Sequence, residues 1–352
     1  MSSMLKDRMA LIQRLYTGDS RPWIVAYSGG KDSTAVLQLV WHAVENLPLR
    51  ERKKTIHIAY VDTGMEHPAY LQEVSANLDR VRAAAVAKGM PFEVRLLEPE
   101  MKHRYFVSVL GRGYAPPTHF FRWCTRSLRI RPMSKFIRDH IGCSGAVVLV
   151  LGLRKSESEA RRRTIEKFAS DQNFLGAYGG DSNATAFTPI EDFSAEQVWQ
   201  FLMQSPSPWG GGNRSLSRLY TLANSGECPS VSLTGNAAPS CGGSRFGCWT
   251  CTVVRRDKTG EALAESDDRY ESLLEFRNKL ARIREDKSKR WKTRRNGEPG
   301  MGPLRLSVRR QLLDELLQIQ RHTKFHLIST DELKAIRKLW KADGAGRGGV
   351  RV

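Results

Sequence analysis

Four cysteines, Cys228, Cys241, Cys248 and Cys251, stand within 24 residues of one another, and only two residues separate the last pair. Two thiolates at that spacing can reach one metal ion or one cluster, and four complete its coordination. A structural zinc and a [4Fe–4S] cluster both accept four thiolates, so the count alone does not choose between them. Zinc ribbons use two close pairs, whereas here one pair is close, and that favours the cluster. Far upstream, Ser28-Gly29-Gly30-Lys31-Asp32-Ser33 follows the apolar run WIVAY and opens a helical pattern. Two glycines let backbone N–H groups approach an anion, the serine hydroxyls add donors, and a helix N-terminus adds partial positive charge. The spacing is not that of a Walker A loop. One part of the chain is thus suited to phosphate chemistry and another to thiolate chemistry.

The elements that must position these groups follow from periodicity. WIVAY, TIHIAYVD, FEVRLLEP and AVVLVLGLR read as strands, separated by amphipathic helical stretches such as STAVLQLVWHAVENL and YLQEVSANLDRVRAAAVAKG. Strands alternating with helices predict an α/β fold with a doubly wound, mostly parallel sheet. Ser194 and Gln197 predict a capped helix start. A chain of 352 residues suggests about two domains. The expected organisation is a nucleotide-binding domain over 1–200, a loop-rich cysteine segment over 201–260 and a helical basic region over 261–352.

Charge narrows the partners. The net charge is +19 at pH 7, which favours a polyanionic partner because Lys and Arg release counterions from phosphates. Between Arg277 and Arg295 ten Lys/Arg face two acids; as one helix, this stretch would line Arg277, Arg284, Lys287 and Arg294 along a side, with Trp291 interleaved. Arg161, Arg162 and Arg163 form a second basic step. For both, the competing reading is a solvated charged surface. No apolar run of membrane-spanning length occurs, and neither a signal segment nor a membrane partner is expected. The expected location is cytoplasmic, where six cysteines argue for ligation over disulfides.

The SGGKDS loop resembles the PP-loop of the ATP pyrophosphatases, a superfamily that includes phosphoadenosine-phosphosulfate reductases, GMP synthetase and tRNA thiolation enzymes. The resemblance implies a PP-loop core binding ATP through Ser28, Gly29, Gly30, Lys31, Asp32 and Ser33, with Asp32 beside Mg²⁺. LGLRKSES, at the end of a strand, looks like the superfamily's next step and implies that Gly152 and Arg154 serve the phosphates. Asp62, ending the second strand, would join them, or simply cap a turn.

FRWCT, and PIEDFSAEQVWQFL with PWGGGNRSLSRLY, are similar to motifs of the reductase-like branch, and GECP with SRFGCWTCTVVRRDK is similar to the DNA phosphorothioation sulfurtransferases of the DndC type. The thirteen-residue step from Cys228 to Cys241 is longer than that family's pattern. The resemblance implies ATP-dependent adenylation of a DNA phosphate oxygen, pyrophosphate release and sulfur insertion. It further implies a [4Fe–4S] cluster, a cysteine desulfurase as sulfur donor, and other phosphorothioation proteins as partners. Asp32 and Arg154 would be catalytic. Cys124 would carry sulfur, replace a cluster ligand, or be a plain buried thiol; Arg122 and Arg126 are expected to lower its pKa. Cys143 reads as packing. Transfer of sulfur to tRNA by the same adenylation logic is one alternative, and a non-catalytic ATP- and DNA-binding subunit with a zinc module is another. Adenylyl sulfate reduction is disfavoured, since no cysteine follows Cys251.

Overall fold

Local sequence explains most of the elements. In chain order they are α1 (Ser3–Thr17), β1 (Trp23–Tyr27), α2 (Lys31–Glu45), β2 (Ile56–Val61), α3 (Pro68–Ala87), β3 (Phe92–Leu97), α4 (Arg131–Ser144), β4 (Val147–Val150), α5 (Glu159–Phe168), β5 (Leu175–Tyr178), β6 (Asp181–Phe187), α6 (Ala195–Gln204), α7 (Arg214–Ala223), α8 (Lys258–Ser266), α9 (Arg269–Glu285), α10 (Leu306–Thr323) and α11 (Thr330–Gly346). This computed structural model describes residues 3–168, 174–178, 181–223 and 247–346. Two compact units interleave along the chain. The described residues of the first fall within 3–61, 69–97 and 133–223, those of the second within 62–68, 98–132 and 247–346.

The first unit is built on a six-stranded sheet in the order β3-β2-β1-β4-β6-β5. All pairings are parallel except β5 with β6. This is the expected doubly wound sheet. Val, Ile and Leu side chains of β1 and β4, with Ile56 and Ile58 of β2, are almost fully buried, as central parallel strands require; each such side chain contributes about 1.5–3 kcal/mol. On one face Ile24, Val147 and Leu149 pack with Ile137 of α4. Trp41 of α2 stacks on Phe92 with ring centroids 4.7 Å apart. The predicted capping box forms at α6, where Gln197 N–H donates to Ser194 Oγ at 3.1 Å and Ser194 N–H to Gln197 Oε1 at 2.8 Å. Strands β5 and β6 carry no apolar alternation, and the sequence pattern missed them.

The second unit is mainly helical. Buried guanidinium groups stitch it together: Arg309 is 1% exposed, donates to the Gly111 carbonyl and pairs with Asp343 at 2.6 Å. Trp340 Nε1 donates to the Leu110 carbonyl at 2.7 Å. The long basic helix expected through Arg294 stops at Glu285. Asp286 turns the chain by accepting the Ser288 N–H at 2.8 Å, a local side-chain bond that competes with helix continuation. Beyond a 3-10 turn at Lys287–Lys289, the chain forms an irregular two-stranded ribbon. Its bridges pair Arg290 with Leu304 and Thr293 with Pro299.

Candidate functional site

The phosphate loop lies where β1 gives way to α2. Gly29 adopts φ +77°, and a Cβ there would fall 2.4 Å from Val74 Cγ2 and 2.9 Å from the Tyr70 hydroxyl. Only glycine allows both the left-handed backbone and this approach. Ser33 Oγ ties the loop back on itself, accepting the Ser28 N–H at 3.2 Å and donating to the Gly30 carbonyl at 3.0 Å. Tyr70 donates to the Ser28 carbonyl. Gly30 is the N-cap of α2 and has no side chain to satisfy the first N–H groups, which leaves them for an acceptor from elsewhere. Gly152, after β4, closes against the first turn: a Cβ there would lie 3.0 Å from Asp32 and Ser33 backbone atoms.

Two cations share one carboxylate at the loop. Asp32 Oδ1 accepts from Arg154 Nε at 2.7 Å, and Asp32 Oδ2 pairs with Lys31 Nζ at 3.0 Å. Arg154 is 2% exposed and also donates to Ser156 Oγ at 2.8 Å. The arginine therefore holds the aspartate, and each Asp32 oxygen already has a cationic partner. From α7, Tyr220 reaches the same place: the Lys31 N–H donates to its hydroxyl oxygen at 3.1 Å.

A thiol site forms in the second unit. Cys124 leads into a π-helical turn, Thr125–Ile130, a feature often found at functional sites. Cys248 bridges Glu66 in antiparallel fashion, and the Trp249 N–H donates to the Met65 carbonyl at 2.9 Å. Cys251 lies near enough to disfavour ionisation of Cys124, and both lie near enough to disfavour that of Cys248. Burial, aided by Cys251, raises the Cys124 pKa, which reverses the lowering expected from Arg122 and Arg126. Burial pushes the Cys248 thiol up to about 12, with Glu66 and both other thiols adding and Arg129 offsetting. Stacked and tilted rings border this region: Tyr105 on Trp123 at 5.7 Å, and Phe106 on Trp249 at 5.9 Å. Trp249 is 1% exposed. Among the described residues no three His, Cys, Asp or Glu side chains are already arranged around a single metal position. Cys228 and Cys241 lie outside the described residues.

Residues 22–254 match the phosphoadenosine phosphosulfate reductase domain family, within the PP-loop ATP pyrophosphatase superfamily. The chain belongs to that family. An uncharacterized protein of Methanocaldococcus jannaschii is 23% identical over 232 residues, covering 65% of this chain and 40% of that protein. The chain thus spans about two fifths of that curated relative's length. Among solved structures, the U34-tRNA thiolase NcsA from Methanococcus maripaludis with its [4Fe–4S] cluster aligns over 80% of this chain and 78% of its own, at 13% identity and a TM-score of 0.36. That likeness carries no functional weight.

Within the reductase-family core, the structure brings Ser28, Gly29, Gly30, Lys31, Asp32, Ser33, Gly152 and Arg154 together at one loop. Asp62 Oδ1 accepts the Gly64 N–H at 2.8 Å, so the turn-capping contact is made. The other basic candidates, Lys287 excepted, are already engaged. Arg161 pairs with Glu157 at 3.3 Å, and Arg162 and Arg163 share Glu159 at 4.0 and 3.2 Å. Arg284 Nη1 donates to the Pro117 and Thr252 carbonyls at 2.8 and 2.7 Å. It clamps the cysteine loop instead of lining an open basic face. Arg277 is 2% exposed and does the same, donating from Nε to the Cys251 carbonyl at 2.7 Å. Lys287 is exposed, and Arg294, on the ribbon, pairs with Glu298 at 3.4 Å.

Sequence reasoning missed Glu66. Its buried carboxylate accepts from Thr63 Oγ1 at 2.8 Å and pairs with Arg129 at 3.4 Å. Burial raises its pKa, against the pull of Arg129. The T-G-M-E-H step directly after a strand end was the available signal. Tyr70, Tyr220 and Arg277 carried none, since their roles depend on partners distant in sequence.

Proposed function

We propose that this protein is an ATP-dependent sulfurtransferase acting on DNA backbone phosphate. The observation that carries the ATP half is the glycine cradle at the α2 N-terminus, built in a phosphoadenosine phosphosulfate reductase domain. Its N–H groups and the Ser28 and Ser33 hydroxyls suit the departing pyrophosphate. Lys31 and Arg154 supply positive charge, and exchange of their Asp32 contacts for ATP and Mg²⁺ would bring the carboxylate to the metal. A DNA phosphate oxygen attacks the α-phosphorus, pyrophosphate leaves, and the phosphate becomes an adenylate. Sulfur delivered as a persulfide by a cysteine desulfurase then displaces AMP. A second thiol reduces the resulting disulfide and releases the phosphorothioate.

The donor set also fits an iron–sulfur cluster. Cys124, Cys248 and Cys251, in one unit among aromatic rings, would supply soft thiolates to it, and Cys228 and Cys241 are further candidates from the sequence. Bound there, a [4Fe–4S] cluster would supply a site for sulfur or for electrons. Arg277 and Arg284 hold the ligand loop by its carbonyls, and Trp249 helps exclude water. DNA as acceptor is supported by the +19 net charge, by the resemblance of the GECP and SRFGCWTC steps, and by the basic ribbon. Across Asp286–Arg305 seven Lys/Arg stand against two acids.

The test is pyrophosphate release by anaerobically purified protein with magnesium ATP, its desulfurase and either DNA or tRNA. We expect release with DNA and its loss in Asp32→Ala, together with iron and acid-labile sulfide that decline in Cys248→Ser. Release with tRNA alone would move the acceptor to tRNA. Modification unaffected by Asp32→Ala, with zinc in place of iron, would make the protein a scaffold.

A further inference from the structure

The Tyr220 hydroxyl sits at the N-terminus of α2. Its oxygen accepts the Lys31 N–H at 3.1 Å, the first residue of α2. A Cβ on Gly30 would lie 3.2 Å from the same oxygen, so the missing side chain leaves room for it. Lys31 Nζ stands 5.5 Å from the centroid of the Tyr220 ring. A neutral hydroxyl thus takes the place beside a cation and a helix N-terminus that suits an anion.

The helix that carries it is secured at its other end. The Asn213 amide, just before α7, donates to Gln38 Oε1 at 3.2 Å and to the Leu202 carbonyl at 2.9 Å. Ser215 Oγ donates to Glu73 at 2.6 Å. Tyr220, about two turns from Asn213, meets the ring of Trp199 edge-on at 5.1 Å. Its contact with the loop can therefore break while the start of α7 keeps its anchors.

We propose that Tyr220 is a displaceable occupant of the phosphate cradle: its hydroxyl oxygen holds the Lys31 N–H in the nucleotide-free protein and yields it to a phosphate oxygen of ATP. The inference rests on the reading of Ser28–Ser33 as a phosphate site. A hydrogen bond to charged phosphate is stronger than one to a neutral hydroxyl, so ATP wins the exchange. The contact lowers apparent affinity by the fraction of molecules in which the cradle is filled.

Tyr220→Phe removes the oxygen and keeps the ring against Trp199 and Lys31. Calorimetric titration of magnesium ATP and of adenosine into both proteins, each checked for fold by circular dichroism, tests the idea. We expect ATP to bind about two- to tenfold more tightly to Tyr220→Phe, the range set by one net hydrogen bond, with adenosine unchanged. Unchanged ATP affinity overturns the proposal. Weaker binding overturns it too, by making Tyr220 a phosphate ligand, and an equal gain for adenosine does so by showing general loosening. If neither folded protein binds ATP, the phosphate reading itself fails and the proposal falls with it.

Discussion

Gly29 and Gly64 offer a controlled comparison at the scale of single residues. Both have positive φ, +77° and +70°, and each carries the cost of about 1–2 kcal/mol that a side chain meets in that region. They differ in space: nothing lies within 4 Å of a Cβ on Gly64, whereas Val74 Cγ2 is 2.4 Å from one on Gly29. Gly29→Ala should therefore destabilise the protein more than Gly64→Ala in urea unfolding, and should also weaken ATP binding at least tenfold. Equal destabilisation by the two substitutions would mean that the loop gives way and the close approach is not a constraint. The glycines were legible as a phosphate loop because the motif is contiguous. Their neighbours Tyr70 and Val74 were not, because contact across about 45 positions leaves no local trace.

Among elements, α9 shows how charge in a sequence can mislead. The spacing of Arg277 and Arg284 predicts a basic face, yet their guanidinium groups cap carbonyls of the segment that follows Cys248. Beyond Cys251, Arg277 Nη1 reaches the Arg255 carbonyl at 3.1 Å, and Nη2 donates to that of Val254. Hydrogen bonds from a charged donor contribute about 1.5–3 kcal/mol each, less when several share one group. Arg277→Met should cost about 2–4 kcal/mol in denaturant unfolding and reduce iron retained by the anaerobic protein. Lys at this position should restore little, because one ammonium cannot span three carbonyls in a plane. Stability and iron content both equal to those of the unsubstituted protein would show that Arg277 does not clamp the loop.

The sheet has its own titration signature. His57 of β2 lies 4.5 Å ring to ring from His140 of α4 and 3.5 Å from Glu93 of β3. Burial, reinforced by His140 and opposed by Glu93, lowers its pKa from 6.5 to about 4. The unfolded chain therefore binds the proton first. Stability from this group is complete above about pH 6.5, declines as pH falls toward 4, and is gone below. Urea midpoints measured across that window should fall with acidification, and His57→Gln should flatten the slope. An unchanged slope would show that other groups govern the acid limb.

At the scale of the whole molecule, the positive surplus must find a surface. Neither Lys287 nor Lys292 has an ion-pair partner among the described residues, and Trp291, 40% exposed, stands between them in the chain with Arg305 5.9 Å from its ring. An ammonium pair beside an indole suits a nucleic-acid backbone with an accessible base. Reversing both charges, Lys287→Glu with Lys292→Glu, should weaken DNA binding and reduce the slope of log affinity against log salt by about 2. An unaltered slope would place the contact elsewhere. No helix among the described residues is long and apolar enough to cross a membrane.

The amino-acid sequence by itself determined the alternation of strands and helices, the contiguous SGGKDS loop and the close Cys248–Cys251 pair, because each is written in neighbouring residues. It also marked the helix cap at Ser194, where the reciprocal bonds span three positions. Tertiary structure decided what periodicity cannot carry. It placed β5 and β6 at one end of the sheet, gathered Cys124 with Cys248 and Cys251, and turned Arg154 onto Asp32 and Tyr220 onto Lys31. It also ended the basic helix at Glu285 and committed Arg277 and Arg284 to carbonyls. The physical reason is common to all of these: a side chain's charge and size are local, but the partner that satisfies it is chosen by the folded path of the chain.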